Sequence, residues 1–324
     1  MSTTMKAIQV AATGGVDTLV LATVAKPTAG AGQVLVRNTY SGVNFIDTYH
    51  RTGLYKLPLP FIPGREAVGT IEAVGTGVTR LAVGDRVAWI GPGSYAEYTA
   101  APIGFTVKVP AAIPDETAAA ALLQGLTALA FVKHAYPVQK GDYVLVHAGA
   151  GGTGGLLVQL AKQRGAHVIA TTSSEAKADM ARSLGADHVI RYDHEKVSER
   201  VLAITGGKGV AAVFDGVGKA TFDESLASLG RRGFLISFGN ASGKVPEVDL
   251  MRLSKNNVYL ARPTLFEAIK TEEEFLELAD ELYGLIAQDK LKIRIHKTFP
   301  LVNAGDAHTE IEAGKTAGKI LLQI

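Results

Sequence analysis

The sequence predicts an α/β chain of two domains, a mostly antiparallel, barrel-like β domain and a doubly wound parallel sheet. Three observations carry this. From Met5 to about Pro110 the residues fall into short β-rich runs broken by Gly and Pro. From Thr117 longer helical and extended segments alternate. A glycine-dense turn, "HAGAGGTGG", joins an apolar run to a helical one. With 324 residues, 47% of them hydrophobic, the chain is long enough for two cores rather than one.

The first runs, "KAIQV", "TLVLATV", "QVLVRNTY", "AVGTIEAVG", "DRVAWI", "AEYTA" and "FTVKV", read as strands. An Ala-rich helix follows around "ETAAAALLQGLTALAFVKHA". Strand "YVLVH" leads into a helix from about Thr153 to Arg164, where Leu156, Leu157, Leu160 and Ala161 share one face and Gly165 marks the end. Next come strand "HVIAT", a helix from Glu175 to Leu184 capped by Ser174 and stopped at Gly185, strand "HVIRY", and a helix through "EKVSERVLAIT" stopped at Gly206. Strand "AAVFD", helix "ATFDESLASL" and strands "GFLISFG" and "NVYLA" complete a set of about six parallel strands with helical crossovers. After Pro263 an amphipathic helix carrying Phe275, Leu278, Ala279, Leu282 and Ile286 leads to "IRIHKTF", a further helical stretch and a last strand, "GKILLQI". This tail is expected to return to the first domain, so the predicted division is 1–123 with 265–324, and 124–264.

Composition removes several function classes. Lys and Arg number 33 against 31 Asp and Glu, with no basic tract, which disfavours nucleic acid as the main partner. The start, "MSTTMKAIQV", lacks the apolar core of a signal peptide, and no apolar run reads as approaching the ~20 residues of a membrane span, so a cytoplasmic address is expected. There is no cysteine, which excludes disulfides, thiolate nucleophiles and Cys-based zinc sites.

Gly149, Gly151 and Gly154 fit G-x-G-x-x-G in strand–turn–helix context, with Gly152 and Thr153 completing the loop. In this pattern the first glycine permits the turn, the second lets backbone approach a pyrophosphate, and the third lets helix and strand pack closely. Free N–H groups and the positive end of the helix then face the phosphates. A tight turn with nothing bound explains poorly why Ala148, Ala150 and Gly152 are small too. At the end of the next strand, where a carboxylate would take a ribose 2′-OH, stand Thr172, Ser173 and Ser174; Glu175 already opens the following helix. A 2′-phosphate is therefore tolerated, and Lys177 and Tyr192, with Arg191 as a weaker candidate, can supply charge and hydroxyl to it. This favours NADPH over NADH. The alternative is that Lys177 and Arg191 are solvated surface charges.

These segments, with "SGVNFIDTYHRTGLY", "PGREAVGTIEAVG", "SSEAK", "VIRYDHE", "DGVGKATFDESLASLGRRGFLISFGNASG" and "ARPTL" in order, resemble the zinc-free quinone oxidoreductases related to ζ-crystallin, in the medium-chain dehydrogenase/reductase superfamily. The resemblance covers essentially the whole chain. It implies a GroES-like β domain carrying the substrate side and a Rossmann domain holding NADPH, with the nicotinamide in the cleft between them. The superfamily's zinc enzymes would carry Cys at Asn44 and His at Arg65, so zinc-assisted alcohol oxidation is excluded by the residues present. The histidines show no ligand spacing and read as structural or surface residues. The resemblance further implies that Asn44, Tyr49 and Tyr55 line the substrate side, that Thr127 lies near the nicotinamide, and that Phe238 and Asn240 flank it. Gly314 stands where relatives carry a basic residue beside the cofactor, leaving Lys315 or Lys319 to replace it. Against these roles, Tyr49 and Tyr55 can be packing residues, Asn44 and Asp47 can cap a local turn, and Asp47 and Glu66 can be structural partners, for example of Arg65.

The expected reaction is reduction of a quinone by NADPH, by hydride or in one-electron steps, with no metal. A quinone is an easy acceptor, so orientation against the nicotinamide and exclusion of water supply much of the acceleration. Tyr55, Tyr49 or water would protonate the product oxygen and Asn44 would donate a hydrogen bond to it; a free phenol, with a pKa of about 10, is a donor at neutral pH. Two alternatives remain: reduction of the C=C bond of α,β-unsaturated ketones or aldehydes, and a non-catalytic NADPH- or RNA-binding role, against which the near-neutral charge speaks. A homodimer is expected, paired through the edge strand "NVYLA" beside "ARPTL".

Overall fold

In the computed structural model, which describes residues 3–324, the chain divides into two units, Met1–Leu123 with Ile269–Ile324, and Gln124–Ala268. The N-terminal alternation folds into β1 (Thr4–Gln9), β2 (Val20–Ala25), β3 (Gln33–Val43), β4 (Glu66–Val74), β5 (Arg86–Ile90), β6 (Tyr98–Pro102) and β7 (Thr106–Lys108). β1 and β2 pair antiparallel, Thr4 opposite Ala25, as a two-stranded ribbon that the Ala7–Ala96 bridge ties to the segment before β6. Between β3 and β4 lies a helix that the pattern did not predict, α1 (Phe45–Thr52). It buries Asp47, Thr48 and Arg51 beside Tyr49, so no apolar stripe announces it.

Helix α2 (Asp115–Ala130) runs on through a π turn, Phe131–Ala135. Together they make a helix of 21 residues, long and apolar enough to cross a membrane, contrary to the expectation that no such run exists. Of its most apolar window, 78% is buried within the fold, and its alanines and leucines serve packing.

The second unit alternates as predicted: β8 (Tyr143–Val146), α3 (Gly152–Gln163), β9 (His167–Thr172), α4 (Glu175–Ser183), β10 (His188–Arg191), α5 (Val197–Ile204), β11 (Val210–Asp215), α6 (Phe222–Ser228), β12 (Leu229–Ser237) and β13 (Tyr259–Ala261). The six strands are parallel in the order β10-β9-β8-β11-β12-β13. That order reverses at β8 and β11, the switch point beside which doubly wound sheets bind dinucleotides. Leu145, Ile169, Val213 and Leu235, from four of the strands, form the middle of the core under α5 and α6.

The tail supplies α7 (Leu265–Ala268), α8 (Glu272–Ala287), β14 (Ile295–Pro300), α9 (Ala304–Glu312) and β15 (Lys319–Gln323). Phe275, Leu278, Ala279 and Leu282 of α8 are buried as the stripe predicts. β15 pairs antiparallel with β3, Leu321 opposite Gly42, giving the order β14-β15-β3-β4-β5-β7 with β6 also on β3. β3 therefore lies between the last strand of the chain and β4, and this sets the first site.

Candidate functional site

The end of β3 and the starts of β4 and β15 bring Asn44, Glu66 and Lys319 together in the first unit. The Lys319 ammonium donates to Glu66 Oε1 and Asn44 Oδ1, both at 2.6 Å. Asn44 Nδ2 donates to Glu66 Oε1 at 2.9 Å and, more weakly, to the Gly42 carbonyl at 3.3 Å. Glu66 Oε2 accepts from the Leu123 N–H at 2.7 Å. The side chains of Lys319 and Glu66 are 2% and 0% exposed, so each charge depends on the other. A Cβ on Gly42 would run into the Glu66 carboxylate and Lys319 Cε. Lys319 thus sits at the Asn44 end of the first unit, while Lys315 is exposed.

Asn44 also ends β3 as the N-cap of α1, with its N–H donating to Asp47 Oδ2 at 2.9 Å. The capping role considered from sequence is therefore real. Tyr95 donates its hydroxyl to the same Asp47 oxygen at 3.0 Å and contacts His308 Nε2 at 3.2 Å. Arg51 Nη1 reaches His308 Nδ1 at 3.3 Å, and Arg51 Nη2 pairs with Glu312 at 2.7 Å. Burial raises the Asp47 carboxyl to about 7, against the Asn44 N–H, the Tyr95 hydroxyl and the charges of Lys319 and Arg65. Burial also lowers His308 to about 3, helped by Arg51, and keeps the ring neutral. Tyr49, buried on α1, and Tyr55, half-buried beyond its end, meet edge to face with ring centroids 5.2 Å apart. The Tyr55 N–H donates to the Tyr49 carbonyl at 3.0 Å. Asn44, Tyr49 and Tyr55 thus belong to one short segment at the end of β3.

In the second unit the loop from Ala148 to Gly151 enters α3 with Gly151 as N-cap, no side-chain cap and no acidic residue in the first turn. The N–H groups of Gly152, Thr153 and Gly154 have no acceptor within the helix. The left-handed residue of the turn is Ala148, φ 51°, rather than Gly149. Gly149 is small because a Cβ there would meet Ala170 Cβ at 2.6 Å. A Cβ on Gly154 would run into the Ala148 carbonyl, which is close packing of helix on strand. A Cβ on Gly151 would meet the Ala148 carbonyl at 3.1 Å and one on Gly152 would run into Gln124 Oε1, so both positions favour glycine at a helix terminus that carries no side-chain cap. A pyrophosphate fits such a terminus, because it accepts the N–H groups and complements the dipole.

At the carboxyl ends of β9 and β10, Ser174 caps α4 by accepting the Lys177 N–H at 3.4 Å, and the Tyr192 N–H donates to the Thr172 carbonyl at 3.3 Å. Ser173 thus lies between Thr172 and the α4 cap, Lys177 in the first turn of α4, and Tyr192 directly after β10. Tyr192 is 53% exposed, and burial lowers the pKa of the half-buried Lys177. Arg191 is engaged elsewhere, by Asp193 at 2.7 Å and Glu175 at 3.3 Å. On the switch-point side, Thr127 and Asn240 are buried, and the Phe238 ring packs on Phe131 at 5.0 Å between centroids. Arg262, of the "ARPTL" motif, donates to the Gly239 carbonyl at 3.2 Å and holds that loop. Among the described residues no group of three or more His, Asp or Glu is placed to hold a metal.

A β unit built on a cross-strand sheet and a 3-2-1-4-5-6 parallel sheet with a bare glycine loop define a medium-chain dehydrogenase/reductase. Residues 30–111 match the alcohol dehydrogenase GroES-like domain and residues 152–281 the zinc-binding dehydrogenase family. The chain is 45% identical over 321 residues to a quinone oxidoreductase of Pseudomonas aeruginosa, covering 98% of this chain and 99% of that one. Among solved structures it is similar to a mycobacterial protein complexed with NADPH, at 47% identity, TM-score 0.95, and coverage of 99% and 100%. It is also similar to the Escherichia coli quinone oxidoreductase complexed with NADPH, at 38% identity, TM-score 0.95, and full coverage of both chains. The chain belongs to the quinone oxidoreductases of this superfamily.

Proposed function

We propose that the protein is an NADPH-dependent quinone oxidoreductase that needs no metal. The bare N-terminus of α3 is the observation that carries the cofactor reading, and the near full-length likeness to quinone oxidoreductases supports the acceptor class. The functional division is 1–123 with 265–324 for the substrate side and 124–264 for the cofactor. When bound, NADPH supplies the hydride equivalent.

The residues of this chain bind, orient and protonate. The N–H groups of Gly152, Thr153 and Gly154 take the pyrophosphate, with Gly151 letting the backbone approach it and Gly149 setting the approach of β9. Ser173, Lys177 and Tyr192 take the 2′-phosphate. Thr127, Phe238 and Asn240 flank the nicotinamide. Asn44 faces the acceptor oxygen with the Nδ2 proton now in the long contact to Gly42, while Glu66 and Lys319 keep its amide from rotating. Tyr49 or Tyr55 delivers a phenolic proton to the reduced oxygen. A second copy of the chain pairs along β13, where Tyr259 is 51% exposed at the sheet edge.

Cofactor oxidation with NADPH and NADH against an ortho-quinone, a para-quinone and a simple enone tests this reading. NADPH consumption with the quinones is expected. Turnover confined to the enone would move the protein to C=C reduction, and unchanged quinone turnover in the Tyr49→Phe, Tyr55→Phe double variant would assign the proton to solvent.

A further inference from the structure

His147, the residue between β8 and the glycine loop, is 3% exposed and lies on an unbroken path of buried hydrogen bonds. The Ala148 N–H donates to Thr171 Oγ1 at 3.3 Å, leaving the Thr171 hydroxyl proton for His147 Nδ1 at 3.0 Å. On the other side of the ring, Ser225 donates its proton to Asp215 Oδ2 at 2.7 Å, so its oxygen accepts from His147 Nε2 at 2.9 Å. Donor supply therefore sets a neutral ring protonated on Nε2. Burial, which lowers the pKa of this histidine, acts in the same direction.

Each end of the path holds a loop. At one end is Ala148, kept at a φ of 51° that an alanine rarely adopts, and its carbonyl accepts the Gly151 N–H at 2.8 Å. At the other, Asp215 Oδ1 accepts the N–H groups of Val217 and Gly218 at 2.9 and 3.0 Å. The segment Asp215–Val217 in turn carries the next loop: the Asp215 carbonyl accepts Phe238 N–H at 2.8 Å and the Val217 carbonyl accepts Ser242 N–H at 2.8 Å.

We infer that His147 is a positioning residue that couples the phosphate end of the dinucleotide site to its nicotinamide end, through Thr171 on one side and Ser225–Asp215 on the other. The inference rests on the cofactor reading above. Along Thr171, His147 and Ser225 each proton is committed to one acceptor, and Asp215 is further fixed by the Thr221 hydroxyl at 2.8 Å to both of its oxygens, so the path resists partial rearrangement and a shift at the glycine loop is carried to residues 238–242.

The test measures dissociation constants of NADPH and of adenosine 2′,5′-bisphosphate, which occupies the phosphate end alone, for wild type, Thr171→Val, Ser225→Ala and the double variant. Ser225→Ala is expected to weaken NADPH about tenfold while leaving the bisphosphate within about twofold. Thr171→Val is expected to weaken both ligands, and the double variant to lose no more NADPH affinity than Thr171→Val alone, because the path is already cut. Losses that multiply in the double variant overturn the coupling, as does unchanged NADPH binding by Ser225→Ala. A parallel fall of both ligands in Ser225→Ala assigns a merely structural role and overturns it too. If either variant fails to fold, His147→Asn, which retains an acceptor toward Thr171 but no donor reaching Ser225, is expected to behave as Ser225→Ala. Wild type that binds neither ligand refutes the cofactor reading itself, whereas wild-type binding with uncoupled variants refutes only the coupling.

Discussion

Replacing Lys319 by Met removes one half of an ion pair that has no access to water. The Glu66 carboxylate would keep the Leu123 N–H at 2.7 Å and the Asn44 amide at 2.9 Å, but lose its counter-charge at 2.6 Å. Breaking a buried pair costs ~3–5 kcal/mol. The two remaining donors place this case near the lower figure, about 3 kcal/mol, a large part of the ~5–15 kcal/mol that holds a typical protein folded. Substituting Glu66→Gln in the same chain removes the stranded charge, so the double variant should recover about 2 kcal/mol of the loss. The chain has one tryptophan, Trp89, which is fully buried in the first unit, so its emission during urea unfolding reports the unit that contains the pair. A loss under about 1 kcal/mol in Lys319→Met, or a double variant no better than the single one, would refute the argument that this pair is mutually dependent.

Other outcomes follow from the same geometry. Asp47, about 7 when folded against 3.8 for the free group, keeps its proton between pH 4 and 7 when the unfolded chain has lost it. Unfolding free energy should therefore fall as pH rises through that window, by up to ~4 kcal/mol in all, and Asp47→Asn should flatten the dependence read by Trp89. Gly154→Ala drives a Cβ into backbone on β8's loop and should weaken NADPH about tenfold or more by fluorescence titration, with the fold retained by circular dichroism. Lys177→Glu should raise the NADPH dissociation constant roughly 10–100-fold and leave NADH nearly unchanged, because only the 2′-phosphate meets the new charge.

The middle of the chain declared itself in sequence because its strands are buried on both faces and its helices carry one apolar stripe, so local pattern and tertiary role coincide. Helix α1 did not, because its buried face holds Asp47 and Arg51, whose partners Tyr95, His308 and Glu312 lie far along the chain. The Asn44-x-x-Asp47 spacing was the available signal for its start. The pairing of Glu66 with Lys319, 253 residues apart, follows from β15 lying beside β3, which strand periodicity cannot reveal. A carboxylate opening an apolar strand and a single lysine opening the last one were the residues to match. Ala148 took the left-handed position expected of a glycine because its N–H is held by Thr171. Arg191, the weaker of the phosphate candidates in the sequence, pairs with its neighbour Asp193, a contact that the run Arg191-Tyr192-Asp193 already offered.

The activity proposed for this chain is reduction of quinones by NADPH without metal. The most direct measurement is NADPH oxidation by a para-quinone before and after exhaustive chelation, with the protein's zinc content determined on the same sample. Equal turnover in both, with no stoichiometric zinc, is expected. Turnover lost on chelation and restored by zinc, or no NADPH oxidation with any quinone, would contradict it.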